Sequence, residues 1–232
     1  MNPFRPKKGT FRFYRGIRAI FDTTDPEKYR EVLPDVFDMP EFPQILTFVT
    51  DYIRVFPWPL TRYQEGATFL RCRYQGNHHW HTLTMPVTKR VARWGGRRMG
   101  YPKYIADKIL LTEGSEGKWT GEVFYKNRTP LKMEFTPGWV REPLETEKWF
   151  EGTTAFLDGS SINLMPPEKG PGINAPYLDH KLEPQWNPIN GMLKIAVDPA
   201  EKIYGLYDQD KTYLGMFNEF RGGVNLIPRK LS

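Results

Sequence analysis

Ala67-Thr68-Phe69-Leu70-Arg71-Cys72-Arg73-Tyr74-Gln75-Gly76-Asn77-His78-His79-Trp80-His81-Thr82-Leu83-Thr84-Met85-Pro86-Val87 is the stretch on which the fold turns. Two runs rich in β-branched and aromatic residues, Ala67 to Tyr74 and His79 to Val87, flank Gly76-Asn77. That pattern predicts two antiparallel strands in a hairpin. Working outward, Thr10 to Asp22 has strand composition, with Phe11, Phe13, Ile17, Ile20 and Phe21. Gln44 to Phe56 is a long strand that the Pro57-Trp58-Pro59 loop breaks. Lys118 to Lys126 and Leu131 to Phe135 are strands with Asn127 to Pro130 as their turn. Met192 to Val197 and Ile203 to Tyr207 complete the expected set.

Helices are few. Asp25-Pro26-Glu27 opens a short one: Asp25 caps it, Pro26 suits the first turn and Glu27 complements the dipole. Tyr29, Val32 and Leu33 form its apolar stripe, and Pro34 stops it. Lys103 to Leu111 is expected to form a second helix, with Ile105, Ile109 and Leu110 inward. Residues 136–190 are rich in Pro and Gly, with a short helix expected near Glu145 to Phe150. No repeat or heptad pattern occurs. The reading is one domain over residues 1–232, α+β in class, dominated by antiparallel sheet curled or barrel-like to avoid open edges.

Composition bounds the function. Aromatics at 15% and seven tryptophans argue for a packed core rather than disorder. Cys72 is the single cysteine, so no intramolecular disulfide forms, and its alternating segment marks it as a buried, inert thiol. No run approaches the roughly 18 apolar residues of a membrane span. Met1 to Lys8 is basic without an apolar stretch after it, unlike a secretory signal, so the expected location is the cytoplasm. The net charge is +6, with Lys89, Arg90, Arg93, Arg97, Arg98, Lys103 and Lys108 gathered against one acid, Asp107. A solvated basic surface, nucleic acid, and an anionic substrate or acidic partner face each fit that stretch. No zinc-finger spacing or RNP-type aromatic motif supports nucleic acid.

His79 and His81 share a strand face, but a metal needs further ligands and no spacing supplies them. No P-loop or Gly-x-Ser-x-Gly pattern occurs. Neither a metal nor a cofactor is therefore expected.

Gly95-Gly96-Arg97-Arg98-Met99-Gly100-Tyr101-Pro102-Lys103-Tyr104 is the run with a chemical meaning. Pro102 fixes the backbone beside Lys103, and the expected helix places the lysine at the positive end of a dipole. Arg97, Arg98 and Lys108 add like charge, while Tyr101, Tyr104 and Ile105 offer apolar walls. Like charge and burial both favour a free amine, which is a nucleophile for carbonyl carbon.

This run resembles the acetoacetate decarboxylase-like superfamily, together with Tyr14-Arg15 ahead of Asp25-Pro26-Glu27 and Leu33-Pro34, and with Tyr63-Gln64-Glu65-Gly66. The three pieces stand in the family's order over about Thr10 to Leu111. The resemblance implies a cone-like antiparallel β-barrel with flanking helices, in a homo-oligomer. It implies that Lys103 is the Schiff-base nucleophile, that Glu65 moves a proton or acts electrostatically, and that Arg15 binds the substrate carboxylate. Decarboxylases proper carry a second lysine after the first; here Tyr104 stands there, and Arg98 replaces the glutamate that usually follows Gly-Arg. The expected activity is β-keto acid decarboxylation through a lysine imine. The alternatives are an aldolase-dehydratase that condenses pyruvate with an aldehyde on the same lysine, Tyr104 lining the substrate pocket, and a non-catalytic binding protein on the same fold. The expected partner is a small keto acid.

Overall fold

A computed structural model describes residues 11–55, 62–138, 160–164, 171–178 and 185–230. The Pro57-Trp58-Pro59 loop and the Glu145 to Phe150 helix lie outside the described residues. Two α-helices, α1 (Pro26–Val32) and α2 (Arg90–Arg98), accompany twelve strands in the described chain. The first eight are β1 (Phe11–Asp22), β2 (Gln44–Val55), β3 (Tyr63–Tyr74), β4 (Asn77–Val87), β5 (Lys103–Ile105), β6 (Lys108–Glu113), β7 (Trp119–Tyr125) and β8 (Arg128–Pro137). The last four are β9 (Ser161–Leu164), β10 (Pro171–Leu178), β11 (Gln185–Val197) and β12 (Thr212–Lys230).

All twelve strands belong to one mixed, mainly antiparallel sheet, ordered β1-β2-β3-β4-β9-β10-β12-β11-β8-β7-β6, with β5 on β4. β5 and β9 are the parallel partners of β4. β1 also pairs with β12. The class is thus α+β, while the sheet as a whole is not closed into a barrel: its path ends at β6.

The β3–β4 hairpin turns through Gln75-Gly76, both at positive φ (51° and 79°), one residue earlier than Gly76-Asn77. The β7–β8 turn is tighter than expected: Lys126 and Asn127 both take positive φ, and Tyr125 already faces Arg128. Two central residues at positive φ are the hairpin solution whose twist matches that of the strands. α1 starts as expected, with the Asp25 carboxylate accepting from Lys28 N at 2.8 Å.

Two expectations fail. Lys103 to Leu111 is not a helix but two strands, β5 and β6. The Asp107 carboxylate between them accepts from Lys126 N at 2.7 Å, and Ala106 N bonds Val87 O at 3.1 Å. Sheet partners take the backbone groups that an isolated helix would have used. The helix lies before the Tyr-Pro-Lys run, at α2. Ile203 to Tyr207 is not a strand but a series of turns, with Leu206 N on Ile203 O at 3.2 Å and Gly205 at φ 87°. Its apolar side chains, Ile203, Leu206 and Tyr207, are buried from those turns.

β1, β2 and β3 are covered on both faces. One face carries Ile17, Ala19, Phe21, Ile45, Val49 and Leu70 into the main core. The other carries Tyr14, Ile20, Leu46, Phe48, Tyr52, Tyr63, Ala67 and Phe69 into two smaller clusters. Polar side chains are buried within this second face.

Candidate active site

Period-two alternation puts Tyr63, Glu65 and Ala67 on one face of β3. Registry extends that face across the sheet: Glu65 is opposite Thr50 of β2, and Thr50 is opposite Gly16 of β1. Tyr14 and Arg18 flank Gly16 on the same face. Lys103 reaches it from β5, opposite Met85 of β4.

The run leading to Lys103 is built to place its side chain. Tyr101 N bonds Gly96 O at 3.1 Å, with Gly100 at φ 82° making the reversal after α2. Arg97 Nε donates to Lys103 O at 2.8 Å. Gly96 lies against the lysine stem, where a Cβ would overlap Cγ, Cδ and Cε of Lys103. Lys103 is 7% exposed and Glu65 is 3% exposed. Lys103 Nζ donates to Glu65 Oε2 at 2.5 Å. Two charged groups so buried are costly unless paired and further hydrogen-bonded, and such pairs concentrate at functional sites.

Aromatic rings enclose the amine. The Tyr63 and Tyr101 centroids each lie 5.7 Å from Nζ. Tyr52 stacks on Tyr63 at 4.7 Å, and Tyr14 packs on Tyr52 at 5.6 Å. The Tyr101 hydroxyl shares a 2.6 Å hydrogen bond with Ser161 Oγ of β9. Burial is the first cause that pushes the Tyr63 and Tyr52 hydroxyls well above the usual range, and the Glu65 charge adds to it in both. Burial also raises Tyr101, and lifts Tyr14 to about 12 against the lowering effect of Arg18. These hydroxyls are therefore proton-bearing donors at neutral pH.

The other two expected site residues lie elsewhere. Arg15 is on the opposite face of β1, with Nε 3.9 Å from Asp51 and its guanidinium 5.2 Å from the Trp119 ring centroid. Asp51 also holds Arg62 at 2.6 Å. Tyr104 follows Lys103 in a strand and so faces away from it; its ring packs on Tyr125 at 4.9 Å and its hydroxyl bonds Thr84. Burial lifts Tyr104 to about 12. The structure thus brings Lys103 and Glu65 together and leaves Arg15 and Tyr104 behind the sheet. Lys103 also does not sit at a helix N-terminus, so the dipole argument does not apply to it.

Sequence reasoning missed Arg18, which is 2% exposed on the Lys103 face. Counting by two from Tyr14 along a strand would have found it. Tyr63 was equally within reach, two positions before Glu65. Ser161 lies in the stretch where no periodicity could be read.

Among the described residues no group of three or more His, Cys, Asp or Glu side chains could hold a metal. His79 Nδ1 shares a 2.7 Å bond with Ser160 Oγ, and His81 Nδ1 one of 3.1 Å with Ile162 O. Burial pushes the Cys72 thiol up to about 12. No helix among the described residues is long and apolar enough to cross a membrane.

Residues 3–170 match the family model described as acetoacetate decarboxylase. No curated protein matches the chain. The solved structures it resembles include an acetoacetate decarboxylase from Legionella pneumophila subsp. pneumophila str. Philadelphia 1, at 19% identity and TM-score 0.69, covering 98% of this chain and 87% of that one. The enduracididine biosynthesis enzyme MppR, solved with pyruvate, aligns at 14% identity and TM-score 0.67 over 99% of this chain and 92% of its own. An acetoacetate decarboxylase-like enzyme from Sphingomonas wittichii RW1 aligns at 12% identity and TM-score 0.63, covering 94% and 92%. At these identities the likeness establishes the fold.

Proposed function

The chain belongs to the acetoacetate decarboxylase family, and from that premise we propose that it is a Schiff-base lyase acting on a keto acid, with Lys103 as nucleophile. The observation that carries this reading is the buried 2.5 Å pair of Lys103 and Glu65. Glu65 takes a proton from Lys103 Nζ, and the free amine adds to the ketone carbon of the substrate. The same carboxyl group returns the proton to the carbinolamine hydroxyl, which leaves as water and gives the iminium ion. With a β-keto acid, the bond from the α-carbon to the carboxylate breaks, its electron pair passes to the nitrogen, and carbon dioxide leaves. Protonation of the enamine carbon and hydrolysis release the ketone and restore the amine. A positioned proton carrier contributes about 10²–10⁴-fold on its own.

A cation for the substrate carboxylate completes the set. We assign that role to Arg18 in place of Arg15, because Arg18 shares the face of Lys103 and Glu65 and its charge already acts on Tyr14 and Tyr52. The pairing of β1 with both β2 and β12 supports a cone-like barrel around this face. A homo-oligomer belongs to the same reading: Trp94 and Phe42 are each more than half exposed, two large side chains that a second copy would cover.

Aldol condensation and dehydration on the same imine form the second reading. The Tyr63 hydroxyl, kept protonated by burial and by the Glu65 charge, favours it, since the two groups together can carry a proton to and from a hydroxyl. The likeness to MppR, solved with the condensation product of pyruvate and imidazole 4-carboxaldehyde, points the same way. Gas release from acetoacetate supports decarboxylation; a conjugated product from pyruvate and an aromatic aldehyde supports condensation. Borohydride added with either keto acid should place the ligand mass on the peptide that contains Lys103, and Lys103→Ala should take up none. If no keto acid leaves an adduct, the protein is a binding member of the fold rather than an enzyme.

A further inference from the structure

Asn218 of β12 is fully buried, and neither its Oδ1 nor its Nδ2 has a hydrogen-bond partner. Two other buried amides are half satisfied: Asn163 Oδ1 accepts from Thr82 N at 3.0 Å, and Asn174 Nδ2 donates to Met99 O at 2.9 Å. Among the described residues Asn218 is the one amide with both ends orphaned. A buried polar group left without partners is costly, so an amide with two such atoms is kept where something else completes it.

Its position says what that is. Glu65 is opposite Thr50, Thr50 is opposite Gly16, and Gly16 is opposite Asn218. The pairing is unbroken over these four residues, so all four side-chain positions share one face. They form one row across β3, β2, β1 and β12. Three strand steps of about 4.8 Å make the row roughly 14 Å long between backbones. The catalytic pair stands at one end and the orphaned amide at the other. Between them the row carries only a threonine and a glycine. A Cβ on Gly16 would meet Thr50 Oγ1 at 2.6 Å and the backbone oxygen of Val49 at 2.8 Å, so no larger residue fits at this step. Tyr14 and Tyr52 flank the row on one side, Arg18 and Phe48 on the other.

We propose that Asn218 is a specificity-determining residue: it pairs with a hydroxyl, carbonyl or amide at the far end of the substrate. The substrate class is then a keto acid longer than four carbons, with its ketone at Lys103 and a polar tail along the row. Asn218 offers the N–H donors of Nδ2 and the acceptor Oδ1 side by side, which fits a neutral group that both donates and accepts better than a second carboxylate, which only accepts. The inference rests on the keto acid reading of Lys103, but its test does not need an imine.

The test is calorimetric binding of unreactive β-hydroxy acids of increasing length, each carrying a terminal hydroxyl and each paired with the acid in which a methyl group replaces that hydroxyl. At one chain length the wild type should bind the hydroxyl member about tenfold or more tightly than its methyl twin. Asn218→Leu should abolish or reverse that preference, and Asn218→Ser should keep part of it. Equal affinity for the two members at every length in the wild type would overturn the proposal, whatever the fate of the variants. An unchanged preference in a folded Asn218→Leu would also overturn it and leave the amide to a buried water. Borohydride trapping on the same samples reports on Lys103 separately. A protein that prefers the hydroxyl tail but traps nothing keeps the tail site and loses the imine.

Discussion

On the proposed reading, Gly96 bears on catalysis without offering a functional group. The Lys103 stem occupies the space where a Cβ would stand. Gly96→Ala must push the lysine away from Glu65 or shift α2. A displacement of about 1 Å costs on the order of 10²-fold in rate when the reacting groups are otherwise intact. Gly96→Ala should therefore lose about that factor in kcat, while circular dichroism stays that of the wild type. Full activity in a folded Gly96→Ala would show that the stem has room to spare. Glu65→Gln keeps the shape and removes the proton acceptor, with an expected loss of about 10²–10⁴-fold. Its borohydride trapping should slow in parallel; unchanged trapping would take Glu65 out of imine formation. Arg15→Ala, by contrast, breaks contacts with Asp51 and Trp119 behind the sheet, so it should spend its effect on stability and leave the Michaelis constant alone.

β9 ties the run that carries Lys103 to the sheet. Ser161 lies beside Trp80 of β4 in parallel register, and its hydroxyl meets Tyr101. Tyr101→Phe leaves Ser161 buried without that partner, which costs about 1–3 kcal/mol. The denaturation midpoint should fall accordingly, and a smaller shift than from the exposed cap change Asp25→Ala, itself worth about 1 kcal/mol, would mean that the hydroxyls are satisfied by water. The strands readable in advance were those whose own composition decides them: β1, β2, the β3–β4 hairpin and the β7–β8 hairpin. β5 and β6 differ from the expected helix because Ile105 and Ile109, four residues apart, satisfy a helical face as well as a strand face. What settles them is pairing with β4 and β7, which is a property of distant residues. β9, β10 and much of β12 carry no readable pattern for a related reason: Pro176, Pro228 and the pair Gly222-Gly223 break any local periodicity, yet β10 and β12 pair through both prolines. The site divides the same way. Lys103 and Glu65 were visible as residue types in motifs. Which of Arg15 and Arg18 joins them depends on the face of β1, and an alternation count from Tyr14 carries that information. Asn218 had no signal short of the register.

Across the whole molecule, buried histidine and buried tyrosines act on opposite ends of the pH dependence of stability. Burial lowers His81 to about 4 from its ordinary 6.5, against a small raising effect of its bond to Ile162 O. A depressed histidine binds its proton more readily in the unfolded chain. Its contribution is present above about pH 6.5 and is lost as pH falls through about 4. A shift of this size corresponds to about 3 kcal/mol. The buried tyrosines act at the alkaline end. Tyr14, Tyr104 and Tyr207 are each raised to about 12 by burial, so the unfolded chain releases their protons first. Their contribution is present below about pH 10 and fades as pH rises through about 12. Chemical denaturation across the pH range should give a plateau near neutrality with an acid limb between about pH 6.5 and 4. His81→Leu removes the group that titrates there. It should flatten that limb even if it lowers the plateau, because the slope counts protons while the height counts packing. A limb equally steep in His81→Leu would assign the acid sensitivity to other groups, His79 first among them, since burial lowers it in the same direction.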